Sequence, residues 1–94
     1  MLTVSEKKDW IDALRSGQYR QIPDVMYDAA GGFCALGVLA HLLGRMQSLD
    51  LDDKVCSADY VKISDMNDAG SPFGQIADYI EARIPTAMPD FAIA

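Results

Sequence analysis

At 94 residues, half of them hydrophobic and 23% charged, the chain has the size and make-up of one globular domain rather than of a disordered tract. Its formal net charge of −6, with no basic stripe interleaved with aromatics, argues against direct DNA or RNA binding. The longest apolar run is 12 residues, against the ~20 a membrane span needs. The opening MLTVSEKKDW turns charged within six residues, so no signal-peptide hydrophobic region is read and a cytoplasmic protein without membrane contact is expected.

The first predicted element is a helix from about Val4 to Ser16. Thr3 and Glu6 have capping-box spacing, and Gly17 suits the C-terminal stop. Trp10, Ile11 and Leu14 form its apolar stripe, opposite Lys7, Lys8, Asp9, Asp12 and Arg15. Trp10 is expected to pack on the central helix. Residues 18–22 and 25–28, around Pro23-Asp24, read as two short extended segments joined by a turn.

The run from Phe33 to Gly44, FCALGVLAHLLG, has one polar side chain, His41. A segment apolar on every side is expected to be buried on every side, as the central helix. Gly37 within it predicts close approach of another backbone, and Gly44 suits its end. Residues 45–58 fit either a short amphipathic turn or an exposed loop. Tyr60 to Met66 alternates, with Val61 and Ile63 on one side, which predicts a strand pairing with one of the earlier extended segments. MNDAGSPF reads as a turn, with Ser71 as N-cap and Pro72 as first helical residue. The last helix runs to about Arg83, with Phe73, Ile76, Ala77, Ile80 and Ile84 on one face. The expected architecture is α+β: one domain over residues 1–94, three helices packed around the buried Phe33–Leu43 run, and a small antiparallel sheet. Residues 85–94 form an extended tail, with Phe91 or Ile93 pinned to the surface.

Chemistry-bearing residues are few. Cys34, at a helix N-terminus behind a Gly-Gly turn, is placed where the helix dipole lowers a thiol pKa. Its only histidine partner, His41, stands seven residues on, roughly 10 Å along the same helix. Hydrogen-bond reach is about 3 Å, so no dyad forms within one chain. Both residues are expected to be core packing. Three Cys and His residues without a C-x-x-C pair give no metal site and no cofactor. Asp65-x-Asn67-Asp68-x-Gly70 starts like a calcium loop, but Ala69 and Ile76 stand where ligands belong, so Asx turns are expected there.

Charge is the remaining signal. Residues 46–94 carry three basic and nine acidic side chains, and twelve of the fourteen acids in the chain are Asp. Capped ends and Asx turns account for many of these. An acidic face that meets a basic partner is the sharper reading, with Asp50, Asp52, Asp53 and Asp59 as contact residues.

WIDALRSGQYRQ, FCALGVLAHLLG and SDMNDAGSPFGQIADYIEARI, with a looser YDAAGG before Cys34, together resemble a group of short uncharacterised proteins of phages and prophage-bearing bacteria. The resemblance implies a setting, small accessory genes on mobile elements, and no reaction or catalytic residue. A non-enzymatic binding protein that inhibits a host defence complex by contact with a host or phage protein is therefore expected. Two alternatives stand beside it: a cysteine-dependent hydrolase or transferase using Cys34, and a small-nucleotide sponge using Tyr19, Arg20 and Tyr27.

Overall fold

A reciprocal capping box opens the first helix of the computed structural model, which describes residues 1–47 and 50–87. Thr3 Oγ1 accepts the Glu6 N–H at 3.0 Å, and Glu6 Oε1 accepts the Thr3 N–H at 2.8 Å. Helix α1 spans Val4–Arg15. Its inner stripe, Trp10, Ile11 and Leu14, is buried, and the Trp10 indole N–H donates to the Ala35 carbonyl at 2.9 Å. That bond satisfies the one polar atom of the largest core side chain and fixes α1 against α2 (Ala35–Leu42).

The strands are β1 (Arg20–Gln21) and β2 (Gly32–Phe33), and they pair in parallel, Arg20 with Gly32 and Gln21 with Phe33. The sheet is therefore not antiparallel, and β1 pairs with Gly32–Phe33 rather than with residues 60–66. The Asp28 carboxylate decides this. It accepts the N–H groups of Ala30 and Gly32 at 3.1 and 2.8 Å, reversing the chain early enough to bring Gly32 back beside Arg20. Gly32 fits there because a β-carbon would lie 2.5 Å from the Ile22 side chain. Tyr27 makes only an isolated antiparallel bridge, to Phe33.

Helix α2 is central, as expected, but less enclosed. Ala35 to Ala40 are buried, whereas His41 is exposed and Leu42 is 40% exposed. An eight-residue helix is only about 12 Å long, and its last turn reaches the surface before Gly44, at φ 70°, ends it. His41 is thus not core packing. Its ring meets the edges of Tyr19 and Phe33, with centroids 5.8 and 5.4 Å away.

Residues 60–66 are helical, within α3 (Ser57–Asp68), and not a strand. Ile63 is buried while Val61 is 56% exposed, so the two do not share a face. The inward side is Tyr60, Ile63, Met66 and Asn67, at helical spacing with a polar residue in the core. Asn67 can be buried because both polar atoms of its amide are partnered. Oδ1 accepts from the Ala35 N–H at 3.2 Å and Gln21 Nε2 at 3.0 Å, and Nδ2 donates to the Ile22 carbonyl at 2.7 Å. One side chain so joins α3 to the start of α2 and the end of β1. Of the two readings of residues 45–58, the amphipathic turn is found: Leu51 and Val55 are buried, and the Lys54 and Val55 N–H groups both donate to the Leu51 carbonyl.

Helix α4 (Phe73–Arg83) buries Phe73, Ile76, Ala77 and Ile80, followed by Ile84, and packs on α1. Pro72 takes the N-cap position expected of Ser71, with no side-chain cap. Lys7 donates to the carbonyls of Glu81 and Ile84, closing the helix C-terminus where a cation is favoured. Thr86 then bridges Leu2 in parallel, and the Ala87 N–H donates to the Leu2 carbonyl. The four helices and small sheet are α+β; Phe91 and Ile93 lie outside the described residues. No helix among the described residues is long and apolar enough to cross a membrane.

Candidate functional site

Three of the four acidic residues singled out by the sequence, Asp50, Asp52 and Asp53, come together on the turn before α3. The turn is held from several directions. Leu51 and Val55 are set in the core, and the Asp52 N–H donates to Asp50 Oδ1 at 3.1 Å. Arg45 grips both Asp53 oxygens and donates to the Asp50 carbonyl, while the Met1 ammonium donates to the Asp53 carbonyl. Lys54 pairs with the α1 capping residue Glu6 at 2.9 Å. The Arg45 guanidinium pulls the Asp53 carboxyl down to about 2. Asp53 is therefore locally neutralised, whereas Asp50 and Asp52 are exposed and in no ion pair among the described residues.

Asp59 is not part of this turn. It stands half-buried in the first turn of α3, accepting from the Tyr79 hydroxyl at 2.9 Å and from the Cys56 thiol at 3.2 Å. Burial and this bond push the Tyr79 hydroxyl pKa up. Asp59 is chiefly a link between α3 and α4.

Cys34 is the N-cap of α2 and is buried, as the sequence reading expects. Its Sγ accepts the Gly37 N–H at 3.3 Å and lies 3.9 Å from Met26 Sδ. Burial pushes the thiol pKa up, opposed by the helix N–H groups and reinforced by the charge of Asp68. The helix terminus therefore does not produce a low-pKa thiol. His41 is not among its partners, its ring being engaged with Tyr19 and Phe33.

The thiol forms part of the floor of a cavity of about 100 Å³ between the 24–26 loop and α3. Met26, Leu36 and Ile63 line it with Cys34, and Tyr60, Ser64, Asn67, Asp68, Asp24 and Val25 complete its walls. The loop is drawn down by the Met26 carbonyl, which accepts the Cys34 N–H at 3.0 Å. Asp24, at φ 70° in a region Asp tolerates, donates its N–H to Asp68 Oδ1 at 2.8 Å. Sequence reading missed this site. Tyr60, Ile63, Ser64, Asn67 and Asp68 follow i, i+3, i+4, i+7, i+8 spacing, a signal hidden once 60–66 is read as a strand.

The remaining candidates are dispersed. Asp65 to Asp68 is the last turn of α3, with Ala69 as its C-cap, and not a run of Asx turns, and Asn67 is occupied by its three bonds. Among the described residues no three His, Cys, Asp or Glu side chains converge on a metal position. Of the nucleotide-sponge residues, Arg20 is paired with Asp28 and Tyr19 packs edge-on against Phe33, which leaves Tyr27 exposed by itself.

Comparison with known proteins returns no match among curated proteins and none among solved structures. A family model does match, from the N-cap of α1 to the first turn of α3, more than half of the sequence. On that match over residues 3–60 the chain belongs to the family described as a domain of unknown function (DUF8296).

Proposed function

We propose that the protein is a non-enzymatic binding module that engages a basic protein surface through its acidic second half. In the phage setting that the sequence resemblance implies, the partner is a nucleic-acid-binding complex of host defence, inhibited by protein–protein contact. The observation that carries this reading is the Asp50–Asp53 turn. Its backbone is fixed by Arg45, by the Lys54–Glu6 pair and by two core side chains, while Asp50 and Asp52 remain exposed without a cationic partner among the described residues. A turn already ordered loses little conformational entropy on binding. Exposed charge of one sign steers and selects a partner of the other sign.

The cysteine-enzyme alternative is weakened by the raised thiol pKa of Cys34 and by a histidine engaged elsewhere. A thiol nucleophile needs thiolate character and a base within reach.

The test is affinity capture from host lysate with the natural protein and with the Asp50→Lys/Asp52→Lys variant, followed by calorimetry on the captured partner at two salt concentrations. The expected result is a dominant basic partner that the variant loses and whose affinity falls as salt rises. A partner retained by the variant with salt-independent affinity overturns the reading.

A further inference from the structure

The cavity above Cys34 has a division of chemistry that the acidic turn lacks. Its floor is apolar or soft: Cys34, Met26, Leu36 and Ile63. Two of its wall residues, Asp24 and Asp68, are exposed carboxylates with no ion pair among the described residues. Asp68 uses Oδ1 to hold the Asp24 backbone, while its second oxygen makes no hydrogen bond or ion pair among the described residues. The field of Asp68 reaches the thiol, where it helps hold the proton on sulfur. Tyr60 adds an aromatic wall, and aromatic faces attract cations.

Size narrows the occupant. A cavity of about 150 Å³ takes benzene, so about 100 Å³ admits roughly four heavy atoms of an unbranched chain. A compact ammonium suits so small a space better than the broad, planar guanidinium. An anion is repelled by both carboxylates. A metal ion lacks ligands, since no three suitable side chains converge among the described residues.

We propose that this cavity is an anchor site for a primary alkylammonium group, the side chain of a lysine on a protein partner. The methylenes lie on the apolar floor and the ammonium meets the Asp24 and Asp68 carboxylates at the mouth. The site goes beyond the acidic-turn reading, and its test needs no partner protein, so either reading can fail alone.

The experiment is an NMR titration of the full ¹⁵N-labelled chain with n-butylammonium chloride, with n-butanol, sodium butyrate and n-butylguanidinium chloride as separate arms. Saturable shifts are expected at the amides of residues 24–26, 34–36 and 60–68 with butylammonium, and weaker or no shifts there in the other arms. Asp68→Asn and Asp24→Asn, which preserve shape, should each weaken binding about two- to fivefold, and raised salt should weaken it as well. Ser64→Leu, which fills the cavity and leaves both charges, should abolish it. Absence of saturable shifts at these amides overturns the proposal. So does butanol binding as tightly as butylammonium, which marks an apolar hole only, or butylguanidinium binding more tightly, which marks an arginine site. Retained binding in Ser64→Leu, with its spectrum otherwise native, places the cation outside the cavity and also overturns it.

Discussion

Gly37 faces the carbonyl oxygen of Met26 so closely that a β-carbon on Gly37 would lie 1.8 Å from it. The backbone of the 24–26 loop thus rests directly on the central helix, as the glycine in that apolar run foretells. Gly37→Ala must displace the loop, and overpacking of this kind costs about 1–3 kcal/mol, outweighing the better helix propensity of alanine. Gly74 is the control, being exposed in α4 with nothing within 4 Å of a β-carbon. Gly74→Ala should leave stability unchanged or raise it by up to about 1 kcal/mol. Urea midpoints check both: that of Gly37→Ala should fall, and that of Gly74→Ala should hold or rise.

Asn67 should be the most sensitive polar position in the chain. Asn67→Ala removes three hydrogen bonds and leaves the Ile22 carbonyl and the Ala35 N–H without a side-chain partner. An orphaned buried polar group costs about 1–3 kcal/mol, so a loss of about 3 kcal/mol is expected by chemical denaturation. Gln21→Ala should cost less, because Gln21 is only partly buried. The double variant should lose less than the two single losses combined.

Acid should loosen the turn before α3. The Asp53 carboxyl is held at about 2 by Arg45, against about 3.9 for an unperturbed Asp. The folded pKa is the lower one, so the unfolded chain binds the proton first. This stabilisation is present above pH 4 and is lost as pH falls from about 4 towards 2. Asp53→Asn should flatten that part of the stability–pH curve, and carboxyl NMR titration should place Asp53 well below the ordinary aspartate value.

The two thiols should separate cleanly. Cys56 is exposed at the start of α3, whereas Cys34 is buried with a raised pKa. Under native conditions an alkylating reagent should modify Cys56 at least about tenfold faster, with equal rates after denaturation. Mass spectrometry of the tryptic peptides reads both. Stability should also fall as pH rises from the unfolded thiol pKa towards the higher folded one, because the unfolded chain releases the Cys34 proton first.

Where local signals agree with the tertiary structure, the sequence was sufficient. The capping box, the Trp10 stripe and the apolar face of α4 each occupy one contiguous helix and appear as expected. Elsewhere, distant groups decide. The inward face of α3 contains Asn67, a polar residue satisfied by atoms more than thirty positions away, so its helical period is broken and the local alternation of Val61 and Ile63 misleads. The sheet is parallel because of a carboxylate at Asp28 and a missing β-carbon at Gly32, neither of which a propensity reports. The acidic turn is legible from charge alone, but its neutralisation at Asp53 depends on Arg45. The walls of the cavity come from a loop and a helix forty residues apart, brought together only by folding.

The packing of α1 on α4 joins the first and the last of the described helices. During synthesis the inner stripe of α1 leaves the ribosome well before Ile76 and Ile80 exist to cover it. Closure of the core over α1 must wait until α4 has been made, and until then the Ile11 and Leu14 stripe lacks that helix as cover in the nascent chain.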